Sequence, residues 1–114
     1  MKFTAKIYAK EILEGIEGKK IIIKNKEKNL NFLKKYNVTN NKRLQIIKSL
    51  NDNSFKEKIE NKDKNIKTDY LYVFGPIHHL YDFYGIENIV KLYIKIGKVN
   101  DYIYAESFHE DSDY

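Results

Sequence analysis

The chain has 114 residues, enough for one domain built around one modest core. Lys and Arg number 21 against 16 Asp and Glu, a net charge of +5, while 42% hydrophobic and 14% aromatic content argues for a folded chain over a disordered one. The absence of Cys excludes disulfides, thiolate metal sites and a Cys nucleophile.

No apolar run approaches the roughly 18 residues of a membrane span. The segment MKFTAKIYAKEIL alternates charged and apolar residues and lacks the apolar core of a secretory signal, so a cytoplasmic location is expected. All but one of the basic residues are Lys. That excess fits either a polyanionic partner or a solvated, Lys-rich surface.

In chain order, Ala5, Ala9, Ile12, Leu13 and Ile16 recur at helical spacing, and Gly15 and Gly18 end that helix. Lys20–Lys24 reads as a short β-branched strand. Asn25 is placed to cap a second helix with Leu30, Leu33 and Tyr36 inward. A third helix runs from about Asn41 to Leu50, with Leu44, Ile47 and Leu50 inward. Phe55 and Ile59 begin another short helical piece. Tyr70–Phe74 is a strand stopped by Gly75-Pro76, and residues 77–88 read either as a long loop or as partly a strand ending at Gly85. Two strong strands follow, near 89–97 and 102–108. With no repeat and no linker, residues 1–114 read as one α+β domain, N-terminal helices packed on a C-terminal, mainly antiparallel sheet.

A turn at Lys98–Asp101 pairs Ile96 with Ile103 and therefore Tyr93 with Glu106. Alternation then puts Lys91, Tyr93, Lys95, Tyr104, Glu106 and Phe108 on one face, with Leu92, Ile94, Ile96, Ile103 and Ala105 on the core face. The first set reads either as a functional surface or as a solvated face with a Lys–Glu pair. His109, at the strand end, titrates near neutral pH and suits proton transfer at a phosphodiester. Strict alternation turns it away from Tyr93, and a bulge is needed to bring the two together. Adjacent His78 and His79 point to opposite faces of a strand and make a poor chelate, so no metal or other cofactor is expected. Lys56, Lys58, Lys62, Lys64 and Lys67 form a basic run beside strand tyrosines, either phosphate-binding or a solvated loop.

The segments Lys10–Leu13 with Gly18, Ile21–Lys24, Leu44–Leu50, Asn53-Ser54-Phe55, Asp69–Tyr72, Leu92–Ile96 and Ser107-Phe108-His109-Glu110, in this order and spacing, resemble the MqsR (motility quorum-sensing regulator) family of toxins. These are small bacterial mRNA interferases with a RelE-like fold, encoded beside an antitoxin. The resemblance covers about Ala9 to Glu110. It implies a toxin that cleaves single-stranded mRNA without metal and binds a cognate antitoxin protein. The family's functional tyrosine falls on Tyr93, and its C-terminal basic residue falls on His109, where the pattern has Lys. A functional Gln falls near Asp69, and a functional Lys falls on Glu57, flanked by Lys56 and Lys58.

The implied chemistry is attack of the RNA 2′-OH on the adjacent phosphorus. His109 would be acid or base, Tyr93 would orient the phosphate, Lys95, Lys56 and Lys58 would supply charge, and Glu106 is an added candidate base. Lys56, Lys58, Asp69, Tyr72 and Lys91 are the expected RNA contacts. An alternative of another class is a non-catalytic binding protein, such as a phage-encoded inhibitor of a host nucleoprotein complex.

Overall fold

A computed structural model describes residues 2–111, in which helices gathered in the N-terminal half pack on one face of a mixed, mostly antiparallel six-stranded sheet. Helix α1 (Lys2–Leu13) ends where Gly15 turns at φ 74°, a left-handed conformation open to glycine. Strand β1 (Lys20–Ile23) leads into α2 (Glu27–Lys35) and α3 (Asn40–Lys48). Thr39 caps α3, its Oγ1 accepting the Lys42 N–H at 3.1 Å. The strands β2 (Phe55–Glu60), β3 (Tyr70–Phe74), β4 (Ile77–Tyr81), β5 (Glu87–Val99) and β6 (Tyr102–Glu110) follow. The sheet order is β1-β6-β5-β3-β2, with β1 parallel to β6 and the other pairs antiparallel.

The long β5 organises the fold. Strand β3 pairs with Ile94–Ile96, and β4 pairs further along the same edge with Glu87–Lys91. Gly75-Pro76 bridges the two, and Pro76 accepts the Leu92 N–H at 2.9 Å. The segment 77–88, read as a long loop or partly a strand, is therefore an arm: the strand β4, a tight turn, and the start of β5. The Asp82 carboxylate accepts the N–H groups of Tyr84 and Ile86, and Gly85 takes φ 81°.

Phe55–Glu60 forms a strand, not the expected helical piece. Phe55 and Ile59 lie four residues apart, which imitates a helix, but pairing with β3 prevails and a bulge at Lys56 resets the alternation. Phe55 then packs edge-on against Phe74 at 5.5 Å.

The core lies between helices and sheet. Ala9, Ile12 and Ile16 meet Phe32, Ile46, Ile47, Phe74, Leu92, Ile94, Ile96, Ile103 and Phe108. Along α2 and its C-cap, Asn29, Phe32 and Tyr36 are buried and Leu33 packs partly buried against the core, while Leu30 is 41% exposed. The expected cap is also displaced. Lys26, not Asn25, occupies the N-cap position, and no side chain caps the helix. No described helix is long and apolar enough to cross a membrane.

Candidate functional site

The last hairpin departs from the expected register. Asn100, at φ 55°, and Asp101 form the turn, and Val99 pairs with Tyr102. Ile96 therefore faces Ala105 instead of Ile103. Between Lys95–Ser107 and Ile96–Ala105 the register shifts by one residue, and Glu106 is the extra residue of a bulge. Beyond it the alternation reverses. Phe108, expected on the polar face, is fully buried, and His109 turns to the outer face opposite Tyr93. Glu106 is not the partner of Tyr93. The two rings of Tyr93 and His109 lie stacked, with centroids 5.4 Å apart and planes inclined by 15°.

Asn29 holds the bulge. It is 1% exposed. Its Nδ2 donates to the carbonyls of Lys24 (2.8 Å) and Glu106 (3.2 Å), and its Oδ1 accepts the Phe108 N–H at 2.8 Å. A bulge interrupts the ladder and leaves backbone groups to be paired elsewhere. One buried carboxamide pairs them here and ties α2 to β6.

The bulged Glu106 gathers cations. Lys26 Nζ lies 2.8 Å from Oε2, and Lys95 Nζ lies 3.3 Å from Oε1. Ser107 Oγ donates to Oε1 at 2.6 Å and accepts from Lys26 at 2.7 Å. Burial pushes the Glu106 carboxyl up, but the hydrogen bonds from Lys26 and Ser107 and the charges of Lys95 and Lys26 outweigh it and hold the pKa at about 2. Such a carboxylate is a poor proton acceptor near neutral pH. Its role in this geometry is to fix two ammonium groups.

His109 has the opposite character. Burial, followed by the charges of Lys26 and Lys28, lowers its pKa, while the Glu110 carbonyl and Glu106 pull the other way. Nδ1 lies 2.8 Å from the Glu110 carbonyl oxygen, which can only accept, so Nδ1 carries the proton. The neutral ring then presents Nε2 as a free base. Tyr93, His109, Lys26, Lys28, Lys95, Ser107 and Asp111 line a cleft of about 240 Å³. Three ammonium groups set against the Asp111 carboxylate of the lining and the Glu106 carboxylate behind it leave a net positive charge.

The remaining expected residues divide. Lys56 reaches this neighbourhood through Asp111, 3.4 Å from its Nζ. Lys91 follows the same face of β5, and its carbonyl accepts the Asp111 N–H at 2.9 Å. Lys58 and Tyr72 lie on the helix side of the sheet instead. Lys58 pairs with Glu11 at 2.9 Å and sits over Tyr70, Tyr8 and Tyr72, 4.4, 4.8 and 5.6 Å from the ring centres. The Tyr72 hydroxyl donates to Glu11 at 2.7 Å, and burial first, then Glu11, pushes its pKa up to about 12. This cluster fastens α1 to the sheet. Asp69 is exposed before β3, its carbonyl accepting the Asn61 N–H at 2.9 Å, at the end of the sheet away from Tyr93. His79 faces Glu87 across the arm at 3.3 Å.

Lys26, Lys28 and Asn29 were not singled out from sequence. In a chain this rich in Lys, two more carry no signal. Asn29 did leave one, as a polar residue at helical spacing from Phe32 and Tyr36. No family model, no curated protein and no solved structure matches this chain.

Proposed function

We propose that this chain is an endoribonuclease that cleaves single-stranded RNA through the RNA's own 2′-OH. The observation that carries the reading is a neutral, stacked His109 whose Nε2 opens on a cleft holding Lys26, Lys28 and Lys95. The 2′-oxygen attacks phosphorus as His109 Nε2 takes its proton. Lys26 and Lys95, fixed by Glu106, offset the charge that grows on the phosphate oxygens. Tyr93 holds the imidazole plane and presents its hydroxyl to the phosphate. Lys28 protonates the departing 5′-oxygen. The products are a 2′,3′-cyclic phosphate and a 5′-hydroxyl, and no step calls on a metal ion.

The sequence resemblance supports a narrower form of this reading: a RelE-like mRNA interferase of the MqsR kind, acting as a toxin in the cytoplasm and neutralised by an antitoxin protein. The direct test is incubation of the purified protein with single-stranded RNA in EDTA. Cyclic-phosphate ends on RNA, with no cutting of a 2′-O-methyl copy, are expected. Intact RNA at high protein concentration, or 5′-phosphate ends, overturns the proposal.

One feature favours a second reading, a non-catalytic binding protein. The arm exposes Ile77, Tyr81, Phe83, Tyr84, Ile86 and Ile89, each more than half exposed, and an exposed apolar group of this kind suits a protein partner. Growth arrest on expression that survives His109→Ala supports that reading over the nuclease.

A further inference from the structure

A second cleft, of about 430 Å³, adjoins the first and shares Lys28, His109 and Asp111 with it. Its far wall comes from α2. Lys28, Asn31 and Lys35 recur at helical spacing and form one polar stripe facing the end of β6. Phe32 and Glu110 complete the lining. The charges differ from those of the first cleft. Lys28 and Lys35 are balanced by Glu110 and Asp111, and Lys35 is already paired to Glu110 at 2.9 Å. A balanced cleft has little attraction for a second phosphate. It suits an uncharged, polar-edged heterocycle beside a phosphate held next door.

Asn31 is exposed, and its carboxamide has no hydrogen-bond partner among the described residues, whereas Asn29 two residues earlier has committed its own. On the ribonuclease reading above, we propose that this cleft is a base-reading subsite for a nucleotide flanking the scissile phosphate, that Asn31 reads the base, and that the base is adenine. A carboxamide offers one donor beside one acceptor, which matches the N6/N7 edge of adenine. The Glu110 carboxylate also accepts from an exocyclic amine. Uracil has no such amine to offer it. Phe32 supplies an apolar wall.

The test is end-sequencing of the cuts made in a randomised single-stranded RNA by the wild type and by Asn31→Ala. Wild-type cuts are expected to be enriched for adenine at one position next to the cleaved bond. Asn31→Ala is expected to lower that enrichment by about 5- to 150-fold, the worth of one bidentate base contact. A melting curve matching wild type identifies the change as one of reading. Enrichment that survives in Asn31→Ala, or a wild-type preference for another base or none at that position, overturns the subsite. A wild type that cuts nothing overturns the ribonuclease reading itself, a result distinct from the others.

Discussion

Tyr93 and His109 are cross-strand partners whose rings lie face to face, 5.4 Å between centroids. The stack fixes the imidazole plane, and the Glu110 carbonyl fixes its tautomer. On the proposed ribonuclease reading, replacing His109 by Ala removes the base and should slow RNA cleavage by about 10²- to 10⁴-fold. Tyr93→Phe keeps the stack and loses the hydroxyl, so its loss should be smaller than that of Tyr93→Ala. Single-turnover rates of the three variants on one RNA check this order. Equal rates for Phe and Ala at position 93 would assign the whole effect to the hydroxyl.

The lowered pKa of His109 gives a direction for pH. A base works in its neutral form, so cleavage should rise with pH through a midpoint below the ordinary 6.5 and be level by neutrality. Repulsion of the imidazolium by the charges of Lys26 and Lys28 is part of that lowering. In Lys28→Ala the midpoint should move up. A pH–rate profile of the two proteins measures both, and a midpoint above 6.5 in the wild type contradicts the assignment.

Glu106 carries a stability term of the other kind. Unfolded, its carboxyl titrates near 4.5, and folded, at about 2. The ion pairs with Lys26 and Lys95 are complete above 4.5, and about 3 kcal/mol is lost as pH falls from there towards 2. Denaturant unfolding at pH 5 and pH 2 should show this loss in the wild type. Glu106→Gln should show a difference smaller by about that amount.

Asn29 is a positioning residue. Asn29→Leu strands the carbonyls of Lys24 and Glu106 and the Phe108 N–H in a buried place, at about 1–3 kcal/mol for each unsatisfied group. Under conditions where the variant remains folded, cleavage should fall although His109 is intact, because the bulge that aims the ring is loosened. Asn29→Asp keeps the acceptor for Phe108 and should retain more of both. Urea unfolding read beside cleavage rate separates the two effects.

Two glycines should respond differently to Ala. At Gly97 a Cβ would lie 2.8 Å from Leu71 Cδ2, 3.0 Å from Thr68 Cγ2 and 3.3 Å from the Tyr70 carbonyl. Overpacking there should cost about 1–3 kcal/mol. At Gly75 the closest atom is the Lys56 Cδ at 2.9 Å, in a flexible side chain that has room to swing aside. Thermal melts should find Gly97→Ala well below Gly75→Ala.

The layers of this fold were readable because Ile, Leu and Phe obey simple periods. The strands at 70–74, 89–97 and 102–108 and the helices around Ile12 and Ile47 follow from them. The site was readable only in its members Tyr93, Lys95 and His109. Their assembly depends on Glu106 stepping out of register, and on Asn29, 77 residues earlier in the chain, which donates to the Glu106 carbonyl and accepts the Phe108 N–H. Lys58 and Tyr72 misled for a related reason. A lysine among tyrosines is the same pattern whether it meets a phosphate or, as here, Glu11.

The bulge in β6 gives the strand one residue more than its ladder needs, at position 106. A substitution at position 106 alters one side chain. Loss of the Glu106 codon would join Ala105 to Ser107 in an unbroken ladder, with Phe108 still opposite Ile94 and His109 still opposite Tyr93, and would remove only the carboxylate that fixes Lys26 and Lys95. A one-codon deletion at that point should therefore leave the core and the Tyr93–His109 stack in place and act, like a replacement of the same codon, through the lost anchor of Lys26 and Lys95.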